Sequence, residues 1–310
     1  MMQIATIPDL SLDECLQLVR QRFNVASIAD RPIDQASVLD YFRQSDRGYR
    51  LFHSRQGAMH VALDCQEKFT ADGYLGQVDL IAERLKQTDV RHVLEIGCGA
   101  GFNTLHLARR LPGCRLTGVD LSTDHVETAR RNAAATPDLT YEQGDFQDLQ
   151  FPDGKFDAVF AVESWCQASD KHRAIAEAHR VLRPGGRLLV IDCFRGAELE
   201  TCDEPLQLAA RLVEKTMAVN EFAVLQPWSK TVEEIGFTWL EQIDLSCSIR
   251  HNLERFYRLA RRYFKMPRAA RAFSHAFPER LLENSISGLL MPFTVGSGVH
   301  RYMFCVLERS

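Results

Sequence analysis

Four acids recur in the middle of this chain, each beside a short apolar run. They are Glu95 in Glu95-Ile96-Gly97-Cys98-Gly99-Ala100-Gly101, Asp120 closing Arg115–Asp120, Asp145 after Leu139–Glu142, and Glu163 after Phe156–Val162. Carboxylates at such places can hold hydroxyls, accept protons or face a cationic ligand. The glycines beside Glu95 narrow the choice. Glycine serves where backbone curves sharply or comes close to a bound molecule. The helix expected from Thr104 through Leu105, Leu107 and Ala108 offers unpaired N–H groups to a ligand's anionic end.

Two phosphate-binding patterns do not fit. In G-x-G-x-x-G, Phe102 takes the third glycine's place when counting from Gly97, and Thr104 takes it when counting from Gly99. The Gly-Lys-Ser/Thr ending of a P-loop is absent. What stands there is E-x-G-x-G-x-G, whose acid would repel a pyrophosphate and attract an ammonium or sulfonium a few ångströms away. Asp120, with Leu121 beside it, follows about twenty residues on, where this topology places an acid on ribose hydroxyls. Asp145 and Phe146 set a carboxylate next to a ring, a pairing suited to an adenine's amino group and face.

To bring these acids together the chain must alternate strand and helix. Strands are expected over Val93–Ile96, Arg115–Asp120, Leu139–Glu142, Phe156–Val162 and Gly186–Asp192, with helices over Thr104–Leu111, Asp124–Ala134 and Asp170–Leu182 between them. Short connections in such an alternation imply a parallel sheet covered on both faces, with ligands at the strands' carboxyl ends. Ahead of this core, Ser11 reads as the cap of a helix carrying Leu12, Cys15, Leu16 and Val19 on one face, and a second helix is expected from near Asp34. Behind it, Cys193 to Asn220 reads as mostly helical. A sixth strand is then expected over Thr238–Leu245 and an antiparallel last strand over His300–Leu307.

From about Arg91 to Asp192, roughly a third of the chain, these ordered motifs resemble the cofactor half of class I S-adenosylmethionine-dependent methyltransferases. The resemblance extends to the structural turn Leu182-Arg183-Pro184-Gly185-Gly186. It implies an α/β, doubly wound, mostly parallel seven-stranded sheet of Rossmann-like type with helical N-terminal and C-terminal lid segments. The implied division is a helical N-terminal lid over 1–75, a cofactor-binding core over 76–248 and 291–310, and a helical substrate-lid insertion over 249–290. S-adenosylmethionine is the implied cofactor, its methionine portion on Glu95, Gly97, Cys98, Gly99 and Gly101, its ribose on Asp120 and its adenine on Asp145 and Phe146.

Within the family the chain looks most like the sterol, tocopherol and prenyl-diphosphate C-methyltransferases. Tyr41, Tyr49 and His60 resemble the aromatic and histidine positions of the segment that folds over the cofactor there, although Val61-Ala62 replaces the usual glycine. Gln77 stands where that branch often has a cofactor-contacting glutamine. Glu163-Ser164-Trp165-Cys166-Gln167-Ala168-Ser169-Asp170-Lys171 is similar to the branch's E-S/A-x-x-x-x-x-D-K/R pattern. Its glutamate is implied to accept the proton lost after an alkene takes the methyl group. The carbocation on the way must be kept from water and faced by π systems, a part open to Trp165.

The most individual stretch runs from Ile249 to Arg280. Arg250, Arg255, Arg258, Arg261, Arg262, Lys265, Arg268, Arg271 and Arg280 face only Glu254 and Glu279, with Leu253, Phe256, Tyr257, Leu259, Ala260, Tyr263 and Phe264 interleaved. An amphipathic helix with a solvated cationic face is one reading. A roof over the substrate whose Arg255 and Arg262 attract an anionic acceptor is another, and contact with an anionic membrane surface is a third. The chain's 310 residues, 45% apolar and 25% charged, suffice for a sizeable core. Net charge of -4 and a pI near 6.2 argue against bulk nucleic-acid binding. Nine cysteines without a C-x-x-C pair fit a reduced compartment better than a disulfide frame or zinc site. With no secretory pattern or membrane span expected, the cytoplasm is the expected location.

These features together suggest C-methylation of a lipophilic, isoprenoid-like small molecule, a prenyl diphosphate first among them, with Mg2+ bridging its phosphates. An N- or O-methyltransferase of another natural product shares the motifs. A cofactor-binding protein without transfer activity, or a nicotinamide oxidoreductase of the same topology, belongs to a different class.

Overall fold

A computed structural model describes residues 8–64, 68–196, 199–265 and 277–310. Strands β1 (His92–Ile96), β2 (Arg115–Asp120), β3 (Leu139–Gln143), β4 (Phe156–Val162), β5 (Leu182–Arg195), β6 (Phe237–Asp244) and β7 (His300–Arg309) form one seven-stranded sheet, in the order β3-β2-β1-β4-β5-β7-β6. The first five strands run parallel, and β7 lies antiparallel to both β5 and β6. The doubly wound sheet expected from the sequence is the one that forms. Its order reverses between β1 and β4, and such a switch point opens a crevice at the strands' carboxyl ends.

The helices are α1 (Leu12–Arg20), α2 (Val25–Ala29), α3 (Gln35–Gly48), α4 (Gly76–Leu85), α5 (Phe102–Arg110), α6 (Thr123–Asn132), α7 (Lys171–Val181), α8 (Glu204–Thr216), α9 (Leu225–Ile235), α10 (Arg250–Lys265) and α11 (Glu279–Gly296). Alternate residues of the central strands divide between two cores, as the two-residue strand period requires. Val93, Ala158, Phe160 and Leu189 meet Val78, Ile81 and Leu85 of α4 and Leu107 of α5 on one face. Leu94, Ile96, Val159 and Val190 meet Ala174, Ile175 and Ala178 of α7 and Val232 of α9 on the other. Covered on both faces, these strands must be apolar throughout. A Leu or Val withdrawn from water in this way contributes roughly 1.5–3 kcal/mol.

A third core lies among helices alone. Cys15, Leu16 and Val19 of α1, Ile28 beyond them, Leu212 and Val213 of α8, Tyr257 and Phe264 of α10, and Ile286 and Leu289 of α11 pack together. Arg31 joins it to α11 through two hydrogen bonds of 2.8 Å to the buried Glu283 carboxylate. The N-terminal and C-terminal lids expected as separate segments therefore share one helical cap, and the boundary expected at 290/291 falls inside α11. Helix starts follow the capping residues: Ser11 and Glu14 form a reciprocal box, and Asp34 accepts the Ser37 N–H at 2.8 Å.

Two local expectations are corrected. Cys193 to Arg195 extend β5 instead of opening a helix, because β7 pairs with them as far as Arg195↔His300. The Pro184-Gly185-Gly186 turn lies inside β5, where the register with β4 jumps from Phe156↔Leu182 to Ala158↔Arg187. Arg268 and Arg271 of the basic stretch, and the opening Met1 to Ala5, lie outside the described residues. Among the described residues no helix is long and apolar enough to cross a membrane.

Candidate active site

The glycine loop is shaped by what it must avoid. Gly97, with φ +68°, brings its Cα so close to the β4 end that an added Cβ would lie 2.3 Å from the Ser164 Cβ. Ser164 reciprocates by donating its hydroxyl to the Ile96 carbonyl at 2.7 Å. At Gly101, φ is +83° and a Cβ would meet the Tyr141 hydroxyl at 2.5 Å. Asp120 holds the loop from the neighbouring strand, accepting the Gly99 N–H at 2.8 Å and the Ser122 N–H at 2.9 Å. The carboxyl ends of β1 and β2 are thereby fixed to each other across the mouth of a cleft.

That cleft is lined by Gly97, Cys98, Gly99, Asp120, Leu121, Asp145, Phe146 and Glu163, together with His125, Cys166, Asp192 and residues of α3. Asp120, Asp145, Glu163 and Asp192 give it four carboxylates, and its lining contains neither lysine nor arginine. Such a cleft disfavours a pyrophosphate and favours a ligand with hydroxyls, an amino heterocycle and positive charge. S-adenosylmethionine meets that description. Asp145 accepts at one oxygen from the Gln147 N–H at 2.8 Å and at the other from the Gln35 side-chain amide at 2.7 Å. Gln35, on the first turn of α3, thus caps one oxygen of the carboxylate that the sequence assigns to an adenine amino group.

Glu95 is the acid expected on the cofactor's methionine portion. Its carboxylate is buried and turned toward the start of α5, where it accepts from the Asn103 amide at 3.2 Å and from the Thr104 hydroxyl. It is not among the cleft-lining residues. Burial pushes its pKa up to about 8, against the pull of the Thr104 and Asn103 hydrogen bonds. The helix start satisfies this acid, so the charge preference of the cleft comes from the aspartates Asp120, Asp145 and Asp192 that line it.

Behind the cleft lies a second cavity of about 370 Å³ with mostly apolar walls, among them Tyr41, Phe52, Met59, Phe256, Leu259, Tyr263, Leu281 and Met291. Tyr49, Met59, Glu163 and Met217 line both spaces. Glu163 is the one carboxylate at this junction. Its backbone sits at φ +48°, an uncommon conformation for a side chain of this size, and its N–H donates to the Ile191 carbonyl at 2.9 Å.

A closed hydrogen-bond ring holds the Glu163 side chain. Its Oε1 accepts from the Val61 N–H and from the Tyr302 hydroxyl, both at 2.8 Å. The Gln77 amide donates to the Val61 carbonyl at 2.6 Å and to the Tyr302 hydroxyl at 3.0 Å. The ring thus ties the segment after His60, α4, β4 and β7 around one carboxylate. Burial raises the Glu163 pKa to about 8, while the Val61 and Tyr302 bonds pull it down. A cationic group brought beside it would lower it further. Asp192, within the neighbouring strand β5, is raised by burial to about 6 and accepts from the Cys166 and Cys193 N–H groups at 3.0 and 2.7 Å.

Several expected assignments change place. Tyr41, expected at the cofactor, lines the second cavity and shares a 2.7 Å hydroxyl contact with Tyr49. His60, expected at the substrate, lines the first cleft and is held at 2.9 Å to the Tyr74 carbonyl; burial lowers its pKa to about 4. Gln77 lies beneath the lid in the ring and lines neither space. Trp165 turns away into the sheet's second core against Trp228, so it offers no π face to a substrate. Arg255 donates to the Phe52 and His53 carbonyls and lines a surface pocket, whereas Arg262 lines both that pocket and the cavity. Asp192 was discoverable from the strand-end rule; Tyr302, Met59, Met217 and Gln35 carried no spacing signal of their own.

Among the described residues no group of three or more His, Cys, Asp or Glu side chains is arranged to hold a metal ion. Residues 93–186 match the family described as Methyltransferase domain. An S-adenosyl-L-methionine-dependent Diels-Alderase of Talaromyces variabilis is 34% identical over 174 residues, covering 53% of this chain and 59% of that protein. A fatty-acid O-methyltransferase of Mycolicibacterium smegmatis is 36% identical over 167 residues, covering 51% and 58%. The chain thus spans less than two thirds of the length of these relatives. In fold it is similar to the cyclopropane synthase MmaA2 from Mycobacterium tuberculosis, with a TM-score of 0.73 at 16% identity over 90% of this chain and 100% of that one.

Proposed function

We propose that this chain is a class I S-adenosylmethionine-dependent methyltransferase acting on a lipophilic small molecule held in the second cavity, a reading supported by the match of residues 93–186 to the Methyltransferase domain family. The observation that carries this reading is Glu163, which faces the cofactor cleft and the apolar cavity at once. When bound, S-adenosylmethionine supplies an electrophilic methyl group. Asp120 and Asp145 would hold its ribose and adenine. The Tyr49, Met59, Met217 and Glu163 junction would keep water from the reacting atoms, with polarizable sulfur and a π face toward positive charge.

Alkene C-methylation is the chemistry we favour. The new carbon–carbon bond would use the alkene's π electrons while the S–CH3 bond breaks and leaves its electron pair on sulfur, so that S-adenosylhomocysteine is released and a carbocation is left on the acceptor. The Glu163 carboxylate then takes a neighbouring proton, and that C–H pair restores the double bond. The acceptor to test first is a prenyl diphosphate, its chain in the cavity and its anionic end toward Arg262, with any Mg2+ arriving on the phosphates. The relative named for fatty-acid O-methylation keeps an O-methyl reading open, in which Glu163 takes a hydroxyl proton.

Incubation with S-adenosylmethionine and geranyl diphosphate, followed by product mass, tests the acceptor: one added CH2 supports it and an unchanged mass removes it. Glu163→Gln tests the proton step. A loss of about 10²–10⁴ in kcat is expected for removal of a general base, and near-normal turnover would contradict that role.

A further inference from the structure

Among the described residues five large apolar side chains are exposed, and three of them meet in one place. Leu51, Phe52 and Leu259, exposed at 55%, 42% and 37%, line a shallow surface pocket of about 300 Å³. Arg255, Arg258 and Arg262 complete its lining, which contains no acid. The arrangement follows from helix geometry. Arg255, Arg258, Leu259 and Arg262 stand at i, i+3, i+4 and i+7 on α10 and form its outward stripe, opposite the buried Leu253, Tyr257, Ala260 and Phe264. Arg255 then clamps Leu51 and Phe52 beside that stripe by donating to the Phe52 and His53 carbonyls. Phe52, Leu259 and Arg262 also line the acceptor cavity, so the patch rims its mouth.

We propose that this patch docks the protein on an anionic phospholipid surface. Leu51, Phe52 and Leu259 enter the boundary between headgroups and acyl chains, and Arg258 meets lipid phosphates. A protein of net charge -4 is repelled by such a surface as a whole, so the acid-free arginine stripe sets which face approaches. Three apolar side chains set among guanidinium groups are a small area beside the roughly 1,000 Å² of a stable protein interface. Apolar side chains of the 49–53 turn set beside the arginines and Leu259 of α10 suit a bilayer boundary better. Docking at the mouth lets a lipophilic acceptor pass from lipid into the cavity without crossing water. That consequence rests on the proposed acceptor class; the docking itself does not.

Sedimentation of the full chain with vesicles tests the idea. Binding is expected to vesicles mixing phosphatidylglycerol with phosphatidylcholine, to weaken with salt, and to be absent with phosphatidylcholine alone. The double variant Leu51→Ser, Arg258→Gln alters two residues outside the cavity lining, and should lose about tenfold or more in vesicle affinity at an unchanged melting temperature. Equal binding to neutral and anionic vesicles, no binding to either, or a variant that binds like the unaltered protein would overturn the proposal. So would self-association in sedimentation velocity that the same variant abolishes, since the patch would then belong to a second copy. Methyl transfer to a soluble acceptor is independent of all these outcomes.

Discussion

Tyr302 and Glu163 lie 139 residues apart in sequence and are joined by a 2.8 Å hydrogen bond from phenol to carboxylate. The bond stabilises the ionised acid and opposes the burial that raises its pKa to about 8. Removing it should move the acid upward. In Tyr302→Phe the pH–rate profile, which rises as Glu163 loses its proton, is expected to shift toward alkaline pH by about one unit. The loss should fall on kcat more than on KM, because Tyr302 lines neither the cleft nor the cavity. An unshifted profile would reduce Tyr302 to a packing residue.

Asp120 accepts the Gly99 N–H of the glycine loop, and the proposed function gives it the ribose of the cofactor as well. Asp120→Ala should weaken S-adenosylhomocysteine binding in calorimetry by about tenfold to a hundredfold, the range for losing charge-assisted hydrogen bonds. The unaltered protein should bind S-adenosylhomocysteine and give no heat with NADH, because its carboxylate-lined cleft offers no cation to a pyrophosphate. Binding of NADH instead would return the cleft to the dinucleotide class.

Gln35 predicts the opposite sign. Its amide donates to Asp145 at 2.7 Å and must leave before an adenine amino group can take its place. Gln35→Ala should therefore bind S-adenosylhomocysteine a few-fold more tightly, consistent with the modest net worth of an exposed hydrogen bond. Weaker binding would show that Gln35 helps to hold the ligand.

Stability should depend on pH through Glu163. Its folded pKa of about 8 lies above the ordinary 4.5, so the folded state holds the proton more firmly than the unfolded state. The stability it contributes is complete below about pH 4.5 and is lost as pH rises through 8. Glu163→Gln removes this loss, so its melting temperature should gain on the unaltered protein between those values. A difference that stays constant across that range would mean the carboxylate is not buried.

The core was legible because its signals are local. Apolar runs separated by glycine and acid marked β1, β2 and β4 almost to the residue, and Asp120 and Asp145 lie in the cleft where the strand-end rule puts them. Glu95 misled because a carboxylate's partners depend on where its side chain turns, and Thr104, 9 residues on in the first turn of α5, had an equal claim to it. Trp165 misled for the same reason: its place in sequence next to Glu163 says nothing about which side of the sheet its ring takes. Tyr302, and the part Gln77 takes beside it, were out of reach because the ring that uses them closes through sequence-distant pairing, which no short-range period encodes. The shared cap of α1, α8, α10 and α11 likewise depends on which amphipathic faces find one another.

The central claim is that Glu163 stands where the cofactor's methyl group meets the acceptor cavity. A crystal structure with S-adenosylhomocysteine tests it most directly, whatever the acceptor proves to be. Adenine is expected beside Asp145 and Phe146, ribose on Asp120, and the sulfur facing the junction of Tyr49, Met59, Glu163 and Met217. A sulfur directed away from Glu163, or a ligand bound outside this cleft, would contradict it.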